Sequence, residues 1–255
     1  MNISFEKYHG AGNDFIMING IDFKMTLSPD QIQKLCDRHF GIGADGLIII
    51  NPSANTDFVM KYYNADGYEG SMCGNGGRCA ARFAYERNIA DKQMAFSAYD
   101  GTHAAEIIAG EVLLEMQDIG HIQKENEDYF IDSGSPHFIT FVKNLDSYDV
   151  SGKGKAIRHN YRKEGTNVNF LEEHDGKFHI RTFERGVESE TLACGTGITA
   201  AAVAIAEKYH PNGKEFEIEA KGGVLKVYLE KSAKGYRNIW LKGPAEKVFE
   251  GSINI

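Results

Sequence analysis

The pattern of apolar and polar positions predicts a protein built mainly of short strands. Residues 58–63 and 177–183 alternate between apolar and polar side chains, which is typical of strands with one buried face. Helical patterns occur at residues 78–85, which are mixed in polarity, and at residues 198–206, which are apolar nearly all round and predict a buried helix. Seven further short apolar segments are predicted to be strands: residues 47–50, 112–116, 138–142, 168–171, 216–220, 225–229 and 239–241.

One pattern occurs twice in the chain. Residues 69–77 and 190–198 both read E-x-x-x-C-G-x-G, which places Cys73 and Cys194 in the same context, 121 residues apart. Upstream, Gly12 and Gly134 each begin a short polar stretch that ends in Phe-Ile, and these glycines precede the two cysteines by 61 and 60 residues. Two agreements in register indicate a duplicated domain of about 120 residues.

We therefore expect an α/β fold of the α+β type with two similar, pseudo-symmetric domains. Each domain is predicted to be a mostly antiparallel sheet wrapped around a central helix that begins at its Cys-Gly motif. The expected first domain is residues 1–118, joined by a C-terminal strand at residues 246–255, and the second is residues 119–245. The polar segment 120–128 is the expected boundary.

Charge and composition exclude several classes of protein. The 255 residues carry a net charge of −8 and contain no basic run that would follow a phosphate backbone, so nucleic acid is not an expected partner. No apolar stretch is long enough to span a bilayer, and the first residues lack a basic region followed by an apolar one. We therefore expect a cytoplasmic protein without membrane association, in which thiols stay reduced.

The cysteine and glycine patterns give no sign of a metal or a cofactor. The four cysteines are Cys36, Cys73, Cys79 and Cys194, and no two have the spacing of a structural zinc site. The glycine-rich runs fit neither a dinucleotide fingerprint nor a phosphate-binding loop, and no lysine is marked for pyridoxal phosphate. Cys36 and Cys79 have no supporting pattern and are predicted to be structural.

Cys73 and Cys194 differ because each precedes glycines at the predicted start of a helix. A helix N-terminus lowers the pKa of a thiol, and its open backbone N–H groups attract anions. Each motif therefore offers a thiolate beside an anion-binding cradle. Inverting a carbon requires a base on one face and an acid on the other, and two such motifs facing each other across a domain cleft would supply both. The residues favour a racemase or epimerase acting on a small molecule.

Seven ordered motifs, spread over essentially the whole chain, resemble those of the diaminopimelate epimerases. These enzymes interconvert LL- and meso-diaminopimelate without a cofactor. The motifs are HGAGNDF at residues 9–15, RHFGIGADG at 38–46, NADG at 64–67 with CGNG at 73–76, GTNV at 165–168, ERG at 184–186, CGTG at 194–197 and GPA at 243–245. The resemblance implies a homodimeric isomerase of lysine biosynthesis, and it leaves open whether the product also serves cell-wall synthesis.

The same resemblance implies roles for individual residues. Cys73 and Cys194 would be the acid/base pair. Gly74, Asn75, Gly195 and Thr196 would hold the reacting carboxylate; Asn13, Asn64, Asn167, Glu184 and Arg185 would bind the rest of the substrate, chiefly its distal amino-acid end; and His137 would be an auxiliary group beside the catalytic centre. An Arg can bind a carboxylate through two bonds, a Glu can accept from an ammonium group, and an Asn can do either.

Two departures from the family pattern affect the expected substrate contacts. Ser135 stands where the family often has Asn, so one contact is expected to be shorter or mediated by water. Glu184 precedes Cys194 by 10 residues, whereas Asn64 precedes Cys73 by 9, which indicates one inserted residue within residues 187–189.

Three alternatives stay open. The first is another enzyme on the same scaffold, such as a proline racemase relative or a dienoate isomerase. Both cysteines are retained, which disfavours relatives that use a carboxylate instead, and Asn64, Glu184 and Arg185 suit a substrate with two amino-acid ends. A redox protein with a switchable disulfide between Cys73 and Cys194 is disfavoured because the chain has no C-x-x-C pair. A noncatalytic binding module would not need two thiols in matched contexts.

Overall fold

The computed structural model describes residues 2–21, 26–70 and 72–255, so Ser71 of the first Cys-Gly motif lies outside the described residues. The chain divides into two compact units. One consists of Met1–Leu114 together with Gly243–Ile255, and the other of Glu115–Lys242.

The first unit is a mixed sheet in which most neighbouring strands are antiparallel. Its strands follow the spatial order β17-β1-β2-β3-β4-β5-β6-β7, with parallel pairing of β2 with β3 and of β4 with β5. The bounds are β1 (Asn2–Gly10), β2 (Asn13–Asn19), β3 (Gly46–Asn51), β4 (Phe58–Asn64), β5 (Gln93–Ala98), β6 (Gly101–Ile108), β7 (Glu111–Met116) and β17 (Glu246–Asn254).

A helix connects the strands of each parallel pair in this unit, because parallel neighbours need a crossover. Helix α1 (Pro29–Cys36) connects β2 to β3, and helix α2 (Gly74–Glu86) connects β4 to β5. Residues of α1 share a core cluster with Leu47 and Ile49 of β3, whereas Gly76 of α2 approaches Ile48 of the same strand. Strand β3 is therefore buried on both faces, which explains its continuous apolar run.

The second unit repeats this arrangement. Its strands follow the order β8-β9-β10-β11-β12-β14-β15-β16, with the short β13 also paired to β12, and the parallel pairs are β10 with β11 and β12 with β14. Helices α3 (Val150–Asn160) and α4 (Gly195–Lys208) connect these pairs. The bounds are β8 (Ile122–Glu125), β9 (Asp128–Asp132), β10 (Pro136–Phe141), β11 (Asn167–His174), β12 (Lys177–Glu184), β13 (Ser189–Thr191), β14 (Glu215–Ala220), β15 (Gly223–Ser232) and β16 (Gly235–Gly243).

The matched parallel pairs define which residues of the two units correspond. The first pair begins with Phe15 opposite Gly46 in one unit and with His137 opposite Asn167 in the other. Phe15 and His137 each follow by three residues a glycine with positive φ, Gly12 (83°) or Gly134 (99°). Phe15 therefore corresponds to His137, so the Phe-Ile match seen in the sequence is one residue out of register. The turn glycines set the true correspondence, because few other residues adopt that backbone conformation.

The expected fold class is confirmed, and both central helices are buried. Residues 198–206 of α4 are all buried, as their apolar pattern predicts, and small side chains let this helix lie close to its sheet. Every predicted strand and helix occurs at its predicted place, although Val142 lies just after the end of β10. The segment 120–128 contains strand β8, and the two compact units divide before it, between Leu114 and Glu115.

Candidate active site

Cys73 and Cys194 are the N-cap residues of α2 and α4. Both have extended backbone conformations, with φ and ψ of −106° and 124° at Cys73 and of −118° and 112° at Cys194. Their carbonyl groups accept the first helical hydrogen bonds, from Gly77 N at 2.7 Å and from Ile198 N at 2.9 Å. Neither thiol caps its helix, and the first N–H groups of each helix have no partner within the helix. Each thiol thus lies at the positive end of a helix dipole.

The Cys73 thiol is the donor in a hydrogen bond to Asn13 Oδ1, at 3.6 Å. The same oxygen accepts from Asn75 Nδ2 at 3.2 Å, and Asn13 Nδ2 donates to Asp45 Oδ2 at 2.7 Å. Asp45 therefore fixes the orientation of the Asn13 amide, because a carboxylate can only accept from it. The structure brings together three residues predicted from the sequence: Cys73, Asn13 and Asn75.

A cluster of charges behind Asn13 holds this part of the first unit in place. Arg38 donates to Asp14 through two nitrogens, at 3.0 and 2.7 Å, and to Asp45 at 2.7 Å. Lys7 pairs with Asp14 at 2.7 Å. Burial alone would raise the pKa of Asp14, but the hydrogen bonds from Arg38 and Lys7 outweigh it and hold that pKa well below its ordinary value.

Arg78 is a buried residue of the candidate site that sequence reasoning missed. Its side chain is fully buried beneath the start of α2 and donates to Gly74 O at 3.2 Å, Asn75 Oδ1 at 2.9 Å and Pro244 O at 3.4 Å. The bond to Asn75 directs the Asn75 amide nitrogen towards Asn13. Burial lowers the pKa of Arg78, and the neighbouring Cys79 and Cys73 oppose that effect. In the sequence, Arg78 is only one charge in a helix of mixed polarity.

Asn64 occupies the exposed end of β4. Its Oδ1 accepts from the Tyr62 hydroxyl at 2.9 Å, and its backbone N–H and C=O bond to Tyr68 and Gly67 in the following turn. A Cβ at Gly70 would lie 3.0 Å from Asn64 Nδ2, so the glycine leaves room for this amide. The side chain is held by its own loop at the strand end.

His137 lies beneath the first turn of α4 in the second unit. It is fully buried, and its Nε2 is 2.9 Å from Thr196 Oγ1, which is 3.4 Å from Cys194 Sγ. Burial, assisted by the positive charge of Arg185, lowers the pKa of His137 to about 3. His137 is therefore neutral at physiological pH and cannot act there as a cationic acid.

Asn167, Glu184 and Arg185 meet where β11 begins and β12 ends. Asn167 Oδ1 accepts from the backbone N–H of Arg185 at 2.8 Å, which joins the two strand ends. The Arg185 guanidinium donates to Glu164 O at 3.3 Å. Glu184 is the last residue of β12, and its carbonyl accepts from Glu188 N at 2.8 Å, closing the turn that carries the inserted residue.

Glu190 holds the strand that leads to Cys194. Arg181 donates to it through two nitrogens, at 2.6 and 2.7 Å, and Lys221 contacts it at 2.8 Å. The hydrogen bonds from Arg181 lower the pKa of Glu190 despite its partial burial. Its role is to fix β13 against β12, a structural role within the motif.

The other two thiols are buried. Burial raises the pKa of Cys36 to about 12 and also raises that of Cys79, so both stay protonated at physiological pH. Within the described part of the chain, no group of three His, Cys, Asp or Glu side chains is placed to hold a metal ion. No described helix is both long and apolar enough to cross a membrane.

The diaminopimelate epimerase family model matches the chain twice in succession, at residues 5–126 and 129–248. The chain belongs to the diaminopimelate epimerase family. The diaminopimelate epimerase of Flavobacterium psychrophilum is 45% identical over 255 residues, covering 97% of this chain and 98% of the relative. That of Chlorobaculum tepidum is 43% identical over 258 residues, covering 96% and 99%.

A solved structure supports the fold of this family member. The phenazine biosynthesis protein of the PhzF family from Bacillus anthracis aligns with a TM-score of 0.82 over 100% of both chains, at 16% sequence identity. At that identity the likeness shows the fold alone. The two matches of the epimerase family model follow the duplication seen in the sequence and in the two units.

Proposed function

We propose that the protein interconverts LL- and meso-diaminopimelate by a two-thiol mechanism, as a PLP-independent isomerase of lysine biosynthesis. The activity follows from membership of the diaminopimelate epimerase family over nearly the whole chain. The observation that carries the mechanism is the matched placement of Cys73 and Cys194 as N-caps of the two central helices. Cofactor-free epimerisation needs two acid/base groups, and the repeated motif provides one in each unit.

In the proposed reaction, one thiolate removes the α-proton of the substrate while the opposite thiol donates its proton to the other face of the same carbon. The C–H electron pair is held transiently as a carbanion delocalised into the α-carboxylate, and it then forms the new C–H bond. The product leaves with inverted configuration, and the two sulfurs have exchanged protonation states. This mechanism requires the thiols to face each other across a cleft between the units.

The α-carboxylate is proposed to bind at the helix N-termini. Backbone N–H groups of Gly74 and Asn75, and of Gly195 and Thr196, belong to the first turns of α2 and α4, where N–H groups lack partners within the helix. Charge that moves into the carboxylate as the proton leaves strengthens these interactions, so they lower the barrier rather than only binding the substrate.

The distal amino-acid end is assigned to Asn64, Asn167, Glu184 and Arg185, with Asn13 between the two ends. Supporting this, Asn13, Asn64, Asn167 and Glu184 lie at strand ends, and Arg185 directly follows the last residue of β12. Asn13 contacts Cys73 directly, and Asn167 lies 3.5 Å from His137. A guanidinium and a carboxylate on adjacent residues suit a carboxylate and an ammonium group on one carbon.

The experiment is to incubate purified protein with LL-diaminopimelate and to follow the meso isomer by chiral chromatography. Formation of meso isomer, unchanged by a carbonyl scavenger that inactivates pyridoxal enzymes, is the expected result. L-Proline in a parallel incubation tests the alternative of a proline racemase. Turnover of proline without turnover of diaminopimelate would contradict the assignment.

We further propose that the enzyme acts in the cytoplasm as a homodimer, without nucleic-acid or membrane partners. The family resemblance and the net charge of −8 support this. Light scattering on a size-exclusion column would give the mass in solution, and a value near that of the 28.3 kDa chain would contradict the dimer.

A further inference from the structure

A chain of polar side chains is buried beneath helix α4 in the second unit. Thr182 Oγ1 donates to Asn169 Oδ1 at 3.0 Å, and Asn169 Nδ2 lies 3.0 Å from His137 Nδ1. His137 Nε2 lies 2.9 Å from Thr196 Oγ1, and that hydroxyl lies 3.4 Å from Cys194 Sγ. Thr182, Asn169 and His137 are 3%, 0% and 0% exposed, so these hydrogen-bonded side chains are sheltered from solvent.

The first unit shows that the scaffold does not require these polar groups. There, the strand residues beneath Gly76 are the apolar Ile48, Met60 and Phe15. Phe15 and Ile48 correspond by strand register to His137 and Asn169, which lie beneath Gly197. Burying polar groups costs free energy that apolar side chains at the same positions avoid. The second unit therefore buries polar side chains that the fold itself does not need. These side chains contact the Thr196 hydroxyl, which lies next to Cys194, and this contact indicates what they do.

The orientation of the Asn169 amide is determined by its other neighbours. Its Nδ2 donates to Phe138 O at 3.2 Å, and a carbonyl oxygen can only accept. The reversed amide would place two oxygens against each other at that contact and would leave a nitrogen facing the Thr182 hydroxyl. Asn169 therefore presents an N–H group to His137 Nδ1.

This fixes the tautomer of His137. Nδ1 must accept from Asn169, so in the neutral ring the proton is on Nε2. The opposite tautomer would place two N–H groups head to head at 3.0 Å. Asn167 Nδ2 lies 3.5 Å from His137 Nε2 and would favour that opposite tautomer, but this longer contact is the weaker of the two.

We infer that Asn169 is a positioning residue that keeps the hydroxyl hydrogen of Thr196 available to the Cys194 thiolate. With its proton on Nε2, His137 donates to Thr196 Oγ1, and the threonine hydrogen is directed to sulfur. In the other tautomer, Nε2 would accept that hydrogen instead. This inference rests on the proposed acid/base role of Cys194, and it assigns the Thr196 side chain a role separate from its backbone N–H group.

The surroundings of His137 favour its neutral form. Burial and the positive charge of Arg185 both disfavour a charged ring, and the nearby carboxylate of Glu190 is already paired with Arg181 and Lys221. Gly197 is required for the arrangement, because a Cβ there would lie 2.6 Å from Asn169 Oδ1.

The first test is the tautomer itself. Long-range ¹H–¹⁵N correlation spectra of labelled wild-type protein distinguish a protonated Nδ1 from a protonated Nε2, and the variant His137→Gln identifies the signal. The neutral form with its proton on Nε2 is expected from pH 5 to pH 9. A protonated Nδ1, or an imidazolium at neutral pH, would overturn the inference.

The second test is the pH dependence of iodoacetamide alkylation at each cysteine, followed by peptide mass spectrometry. Asn169→Leu removes the N–H group that faces His137, so Cys194 should be alkylated about tenfold more slowly at pH 7 with a midpoint at higher pH, as expected for losing a hydrogen bond to an anion. Cys73 in the same molecule is the internal reference. Val168 is adjacent to Asn169 in β11, and its side chain lies on the opposite face of the strand. The variant Val168→Ala should therefore leave the midpoint of Cys194 alkylation unchanged.

An unchanged Cys194 midpoint in Asn169→Leu would refute the inference, as would an equal shift in Val168→Ala. If Asn169→Leu does not fold, the wild-type tautomer still decides the question. Neither measurement uses epimerase activity, so failure of the proposed function would be seen separately.

Discussion

Replacing Gly197 with Ala tests how closely α4 must approach Asn169. The new Cβ would lie 2.6 Å from Asn169 Oδ1, 3.3 Å from Cys194 Cβ and 3.3 Å from His137 Cε1. Asn169 cannot retreat without losing hydrogen bonds to its neighbours. Two lost bonds cost about 1 kcal/mol each, overpacking adds about 1–3 kcal/mol, and the helix propensity of Ala returns up to about 1 kcal/mol. We expect the free energy of unfolding to fall by about 2–4 kcal/mol.

Gly76→Ala is the matched control at the same place in the first motif. Its Cβ would meet Ile48 Cδ1 at 3.1 Å, Met60 Cε at 3.4 Å and Phe15 Cζ at 3.5 Å, which are the ends of side chains that can shift. Its free energy of unfolding should stay within about 1 kcal/mol of wild type. Urea unfolding followed by circular dichroism compares the two variants. Equal midpoints for the two would refute the reasoning.

Three further predictions follow from the site. Cys73→Ala and Cys194→Ala should each lower kcat by about 10²–10⁴-fold, whereas Cys36→Ala should epimerise diaminopimelate at nearly the wild-type rate; equal loss in all three would contradict the assignment of the thiols. Arg185→Lys should raise KM about tenfold, because Lys cannot reproduce a planar two-bond contact with a carboxylate, and unchanged steady-state kinetics would remove Arg185 from the site. The pKa of His137 is lowered from 6.5 to about 3 in the folded protein, so the unfolded chain binds the extra proton and the folded state loses stability as pH falls through that window. His137→Gln should remove a slope of about 1.4 kcal/mol per pH unit from urea titrations there, and an unaltered slope would contradict the burial argument.

The duplication and the fold class could be predicted because they depend on patterns that the sequence repeats. Two Cys-Gly motifs in the same context indicated two units, and the apolar run at residues 198–206 indicated a buried helix. Helix α1 was not predicted, although Ser28 and Gln31 form a capping box at its start and Pro29 is its first residue.

The polar network beneath the helices could not be predicted, since it depends on register and depth. Asn169 lies between apolar residues in β11, where a polar residue ordinarily marks an exposed face, and only the strand pairing places it against His137. Arg78 is fully buried because three carbonyl oxygens converge on its guanidinium, which no spacing rule shows. The sequence comparison matched Phe15 with Phe138, which is one residue out of register, so it did not show that Phe15 corresponds to His137.

The central claim is that two thiols, one in each unit, handle the α-proton. In deuterated solvent, meso-diaminopimelate formed from the LL isomer at low conversion should carry one deuterium at the inverted carbon, while recovered LL isomer should carry little. The reason is that one thiolate takes the substrate's α-hydrogen, while the opposite thiol, which has already exchanged its proton for deuterium from the solvent, delivers that deuterium to the other face of the carbon. Mass spectrometry of both isomers, separated by chiral chromatography, gives the result directly. Substantial unlabelled meso product at early times, with thiol exchange fast, would contradict the two-thiol mechanism.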